Sequence, residues 1–235
     1  MRLGFFSDAH GNIVSTIQCI KMMRAMELDE CFFLGDAIGY MPDGGEVLQL
    51  LSQEKITCIM GNHEAMATGL LPLVEDRECI YRIRPLLANL PASLLSGISN
   101  SWPASKTINV LGKTILMIHG RPSAPLQGYL YQNDQPSPEE TTGFDVIVMG
   151  HTHRPFIQQF GNTLLINAGS CGLPRDIGNA PSFAVYDVQN SKAEIHRFEM
   201  DIKSAINTWP SDSLHESVIS CLYRGQKKGK YGNVS

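Results

Sequence analysis

Excess positive charge, long apolar runs and paired cysteines are all missing from this 235-residue chain, and each gap removes a class of protein. Lysine and arginine number 19 against 23 aspartates and glutamates, a formal net charge of −4, so no global basic field marks a nucleic-acid binder. No apolar run approaches the ~18 residues that span a bilayer, and the first residues read as a strand with no signal-peptide core. The expected compartment is the cytoplasm, with no membrane partner. The six cysteines, at 19, 31, 58, 79, 171 and 221, form no CxxC pair. That removes the common thiolate zinc and redox signatures and leaves reduced core thiols. Neither an internal repeat nor a low-complexity linker divides the sequence. A single domain over 1–222 is expected, followed by a basic, glycine-rich ending at 223–235 that reads as a solvated tail.

What the chain does have is histidine in company. Five of its seven histidines fall in five short blocks: SDAHGN (7–12), GDAIGY (35–40), GNHE (61–64), IHGRP (118–122) and GHTHRP (150–155). These blocks carry Asp8, His10, Asp36, Asn62, His119, His151 and His153. Mixed carboxylate, amide and imidazole donors suit two divalent cations a few Å apart. Alone, each has a plainer reading: Asp36 as a turn residue, Asn62 as a helix cap, His119 as a core histidine. Their joint order outweighs those readings, whereas His196 and His215 have no such company.

Each block follows a short apolar run rich in β-formers: LGFF, CFFL, ITCIM, TILMI and VIVM. Five strands therefore deliver candidate ligands at their carboxyl ends, where open α/β sheets bind ligands. Helical spacing predicts helices over 12–26 and 45–52, with weaker periodicity over 74–88, before a Pro-, Ser- and Gly-rich passage at 91–105 that reads as a surface loop. Hairpins are predicted at 107–118 around Leu111-Gly112, at 156–166 around Gly161-Asn162, and at 183–198. The last of these adds to the case for a second sheet beside the first. Two short helical pieces are expected over 201–222, separated at Pro210. The patterning implies an α/β fold of two packed sheets flanked by helices.

The block set resembles the calcineurin-like metallophosphoesterase superfamily, with its DxH, GD, GNH(D/E), H and GHxH pattern, over roughly residues 1–175. NAGSCGLPRD at 167–176 is similar to the ending found in small bacterial and archaeal phosphodiesterases of that superfamily. The resemblance implies a four-layer α/β/β/α sandwich. It also implies one cation on Asp8, His10 and His153, a second on Asn62, His119 and His151, and Asp36 bridging the two. Mn or Fe are the expected ions, ahead of Zn, Ni or Co. His63 is then free to act as general acid, and a hydroxide shared by the metals is the expected nucleophile.

The expected reaction is hydrolysis of a phosphodiester, phosphoanhydride or phosphomonoester of a small nucleotide-like substrate. Arg121 is a candidate phosphate contact and Tyr40 a candidate base-stacking residue, with Arg154, Arg175, Tyr129 and Tyr131 behind them. A protein serine/threonine phosphatase is the alternative within the superfamily. It is disfavoured because those enzymes carry GDxxDRG where this chain reads GDAIGYM. A non-catalytic metal-binding scaffold is the third reading, and the complete donor set speaks against it.

Overall fold

The computed structural model describes residues 1–210 and 212–226. Its first sheet begins with three parallel strands, β1 (Arg2–Phe6), β2 (Glu30–Phe33) and β3 (Thr57–Cys58), connected through α1 (Ile13–Ala25) and α2 (Gly44–Gln53). Alternation along the strands assigns their two faces. Leu3, Phe5, Phe32 and Leu34 point into the inter-sheet core, and Phe6 and Phe33 point to the α1 and α2 side. Both faces are thus apolar, as a sheet covered on both sides requires.

The second sheet is built from two hairpins around a central strand. β4 (Ser105–Val110) pairs antiparallel with β5 (Lys113–Ile118), and β7 (Phe156–Phe160) with β8 (Thr163–Asn167). β6 (Val146–Met149) lies parallel between β5 and β8, so the order is β4-β5-β6-β8-β7. Ile115, Met117, Val146, Val148 and Ile166 close the inter-sheet core from this side.

The third hairpin, β9 (Ser182–Asp187) and β10 (Lys192–Arg197), belongs to the first sheet. β9 lies antiparallel to β1, with Arg2 opposite Asp187, giving the order β10-β9-β1-β2-β3. Its composition explains the placement: Ala184 and Tyr186 face the inter-sheet core while Phe183 and Val185 face the α1 side, so both faces need cover. Residues 74–88 do not form one helix. A 3₁₀ turn (Glu75–Arg77) leads into α4 (Glu78–Tyr81), which stops at Arg82 (φ 55°) before α5 (Ile83–Asn89). The passage at 91–105, expected as a loop, contains α6 (Ala92–Ser101), which packs against α2. Leu94 and Ile98, four residues apart among serines, supply a narrow apolar stripe that composition alone conceals.

The result is an α/β/β/α sandwich with unequal outer layers. Helices cover the first sheet, whereas the outer face of the second packs Leu116, Ile118, Ile147, Met149 and Leu165 with Leu130 and Phe144, from a connection whose helical part is α7 (Pro138–Thr141). After β10, α8 (Ile202–Asn207) and α9 (Glu216–Leu222) pack with Trp209 onto Tyr40, Met41 and Leu173. Trp209 Nε1 donates to Asp43 Oδ2 at 2.5 Å. Of the expected tail, residues 227–235 lie outside the described residues. No helix among the described residues is long and apolar enough to cross a membrane.

Candidate metal centre

The loops leaving β1, β2, β3, β5 and β6 converge at one edge of the sandwich. The backbone there is unusual: of twelve non-glycine residues at positive φ among those described, six are Asp8, His10, Asp36, Tyr40, His151 and His153. Left-handed backbone is uncommon for such side chains and persists where surrounding bonds impose it. Those bonds run between loops: Asp8 N donates to Gly35 O, His10 N to Asp36 O, Gly150 N to His119 O and Arg175 N to His153 O. Two glycines are fixed by close approach. A Cβ at Gly61 would strike Asp36, and one at Gly150 would strike Ser7 and Asp8.

Side chains of Asp8, His10, Asp36, His63, His119, His151 and His153 are all buried. Their donor atoms form three overlapping groups, each within 4.8 Å: Asp8, His10 and His153; His10, Asp36 and His63; Asp36, His119 and His151. Asp8 Oδ1 lies 3.2 Å from His153 Nε2, 3.7 Å from His10 Nε2 and 4.0 Å from His119 Nε2. Asp36 Oδ2 lies 3.3 Å from His119 Nε2, 3.6 Å from His10 Nε2 and 3.9 Å from His63 Nε2. Each carboxylate's other oxygen is held by a backbone amide, Asp8 Oδ2 by His151 N and Asp36 Oδ1 by His63 N, both at 3.0 Å. Asn62 opens α3 (Asn62–Ala67), and its buried Oδ1 has no hydrogen-bond partner.

Three rings are locked from behind. His10 Nδ1 contacts Ile38 O at 3.1 Å, His119 Nδ1 contacts Leu34 O at 2.8 Å, and His153 Nδ1 contacts Leu173 O at 2.5 Å. A carbonyl can only accept, so each Nδ1 carries the proton and each Nε2 presents a lone pair. His10 Nε2 and His153 Nε2 nevertheless stand 3.0 Å apart, beside two carboxylates. Two lone pairs at that distance repel unless an added proton or a cation lies between them. Asp8 Oδ1, Asn62 Oδ1 and His151 Nε2 are likewise buried without hydrogen-bond partners. The donor set therefore fits divalent cations, the ions that accept carboxylate, amide and imidazole together.

The donors' charges act on one another across the cluster, and only an unprotonated ring can present its Nε2 lone pair to a cation. Burial acts to raise the Asp8 and Asp36 carboxyls, but the imidazoles, led by His153 and His119 respectively, hold both well below the usual range. Burial acts to lower His119, and the carboxylates of Asp36 and Asp8 outweigh it, leaving that ring raised to about 9. His63 and His151 are pushed down to about 3 by burial, and His153 to about 4 by burial with Arg175 adding to it.

Glu64, the last letter of GNHE, has a role that the histidine pattern does not reveal. Its buried carboxylate accepts from the amides of Asp36 (2.7 Å), Ala37 (2.8 Å), Ile38 (3.3 Å) and Gly61 (2.9 Å), which ties the β2 loop to the start of α3. The available signal was a glutamate at the third helical position, from which a carboxylate reaches back to the amide before the helix, here that of Gly61. Burial and the nearby Asp36 charge push this carboxyl up to about 7.

The candidate substrate contacts separate. The Arg121 guanidinium is bonded to Glu140 through Nε (2.8 Å) and Nη2 (2.6 Å), and contact with a phosphate would require that pair to open. Tyr40 packs against His10 and His63, with ring centroids at 4.6 and 5.1 Å. Tyr129 stacks on His151 at 4.1 Å and on Tyr131 at 5.8 Å. Arg175 Nη2 donates to the Tyr40 hydroxyl at 3.0 Å.

A two-sheet sandwich gathering aspartate and histidine donors at the ends of its strands defines a class of metal-binding α/β proteins. The chain belongs to the calcineurin-like phosphoesterase superfamily, whose domain matches residues 1–191. It is 28% identical to an uncharacterized protein of Methanocaldococcus jannaschii over 95% of this chain and 98% of that one. It is 24% identical to the phosphodiesterase YfcE of Escherichia coli, covering 80% of this chain and 88% of the relative. The metallophosphoesterase of Sphaerobacter thermophilus has the same fold, with a TM-score of 0.78 at 23% identity over 94% of this chain and 98% of the other.

Proposed function

We propose that this chain is a metal-dependent hydrolase that cleaves a phosphodiester, phosphoanhydride or phosphomonoester of a small nucleotide-like molecule. The observation that carries the proposal is the convergence of imidazole lone pairs locked by backbone carbonyls onto two buried carboxylates, an arrangement that calls for cations. In this reading Asp8, His10 and His153 hold one ion, Asn62, His119 and His151 hold the other, and Asp36 is shared. Mn or Fe fits the mixed donors best, with Zn, Ni or Co able to substitute. Two such ions would neutralise phosphate oxygens and lower the pKa of a water from ~15.7 toward ~7.

The chain's own groups divide the remaining work. His63 Nε2, facing Asp36 at 3.9 Å, supplies the proton that the leaving oxygen takes up. An anionic phosphate against the buried ring compensates for the solvent it lacks. Tyr40 and Tyr81 hold that ring between them, with centroids at 5.1 and 4.8 Å. The buried walls exclude bulk water from Asp8 and Asp36, which strengthens their pull on cations. The name of the Escherichia coli relative supports diester cleavage among these reactions.

Parallel assays on bis-p-nitrophenyl phosphate and p-nitrophenyl phosphate, with Mn added, test the proposal. Diester turnover that falls by about 10²–10⁴ in His63→Ala supports it. Monoester turnover alone narrows the enzyme to a phosphatase. Metal-dependent turnover absent from these and from a nucleotide panel would leave a binding scaffold.

A further inference from the structure

Beside the cluster lies a cavity of about 340 Å³ that the hydrolytic groups do not account for. It shares Tyr40, Tyr81 and Tyr129 with the cluster, since Tyr40 and Tyr81 pack on His63 and Tyr129 stacks on His151. Its charged lining residues are Arg77, Arg175 and Arg224, and no aspartate or glutamate lines it. Arginine ion pairs elsewhere among the described residues are Arg24–Glu54, Arg84–Glu75, Arg121–Glu140 and Arg197–Asp176. The three cavity arginines take part in none of them. Half-buried Arg175 donates to the Tyr40 hydroxyl at 3.0 Å and Arg224 Nη1 donates to the Arg175 carbonyl at 3.1 Å, both neutral acceptors, while the Asp8 charge acts on Arg175 from the cluster.

We infer that this cavity is a subsite for an anionic, ring-bearing part of the substrate, a nucleoside phosphate whose base packs against the tyrosine wall with its phosphate on the arginines. Three guanidiniums around a cavity free of carboxylates select an anion, because Arg presents a planar fork that matches phosphate oxygens. The tyrosines provide faces for a planar base. The volume falls within the range of small-ligand sites. Because the cavity adjoins His63, and resting on the phosphoesterase reading, the occupant is the portion that departs when the ester is cut. Arg77 comes from the turn before α4. Arg224 follows α9, beyond residue 191 where the family match ends. The subsite is thus partly built by a segment outside that match.

Calorimetric titration of the full chain with AMP and with adenosine, both Mn-loaded and stripped with chelator, tests this. AMP is expected to bind at least about tenfold more tightly than adenosine in both forms, and the Arg77→Gln/Arg224→Gln double variant to lose most of that preference. Both positions are exposed, so the variant is expected to fold, which circular dichroism checks. Equal binding of AMP and adenosine, no binding of either, or a preference unchanged in the folded double variant would overturn the subsite. The stripped protein reports on the cavity without hydrolysis. Turnover of bis-p-nitrophenyl phosphate without AMP preference therefore removes the subsite and keeps the phosphoesterase. AMP preference without turnover keeps the cavity as an anion site and removes the leaving-group role.

Discussion

Around Asp8, His10 and His153 the chain supplies a backbone partner for each polar atom that turns away from the cluster: Ile38 O, Leu173 O and the His151 amide. Around Asp36, His119 and His151 it does so incompletely. His119 is locked on Leu34 O and Asp36 by the His63 amide, but His151 turns Nδ1 toward His119 and leaves Nε2 without a partner, and Asn62 Oδ1 is also unpaired. The first half is organised by the fold. The second positions His151 by stacking on Tyr129 and not by a backbone carbonyl, and ligands without such an outer partner bind a metal more weakly. The two halves should therefore fill at different metal concentrations.

The strongest way to break that asymmetry is to remove what both halves share. Asp36→Ala should abolish the distinction and lower turnover of bis-p-nitrophenyl phosphate by about 10³-fold or more, some 4 kcal/mol of lost stabilisation, with metal analysis showing both ions depleted. Next in size is Glu64→Ala, which strips the acceptor from four backbone amides. Urea unfolding should show a loss of about 2–4 kcal/mol, with metal binding weakened at Asn62, His119 and His151 before it is weakened at Asp8, His10 and His153. Asn62→Ala acts on the second half alone. It should reduce affinity for one ion by about 10–100-fold and spare the other, and two equally weakened sites by metal titration would end the idea of unequal halves.

Glu140→Gln probes neither half and sets the baseline. The Arg121 pair holds the Glu140 carboxyl down to about 2, below its usual 4.5, so its contribution is present above pH 4.5 and lost as pH falls toward 2. The wild-type melting temperature should drop over that window slightly more than the variant's. The corresponding loss of stability should be about 1 kcal/mol or less, because the Arg121 partner is partly solvated.

What the sequence disclosed divides along similar lines. The strands before the blocks were legible because both faces of β1, β2 and β6 are apolar and four of the five runs stop at a glycine or serine next to a ligand candidate, the fifth, TILMI, meeting His119 directly. That Asp8, His10, Asp36, His63, His119, His151 and His153 would meet was legible because spacing and residue type coincide, whereas their division into ligands and general acid came from the resemblance alone. The placement of β9 against β1 was not, since the pairing joins residues some 180 positions apart and nothing local specifies it. α6 was hidden by its serines, whereas the break at Arg82 had a signal in Pro85, which cannot donate to the Tyr81 carbonyl and sits instead in the first turn of α5, leaving that carbonyl to accept from Tyr40 N. The carbonyl locks on His10, His119 and His153 involve backbone atoms that any residue would supply, and no residue-type pattern can announce them.

The pairing of β1 with β9 also has a temporal meaning. During synthesis the DxH loop emerges more than 160 residues ahead of the strand that flanks β1 on its open side and of the Leu173 carbonyl that orients His153. At about 5–20 residues per second, that interval is roughly ten seconds or longer. A nascent chain therefore carries its first candidate ligands long before it can form the pocket that positions them, and the cluster is completed only once β9 has been made.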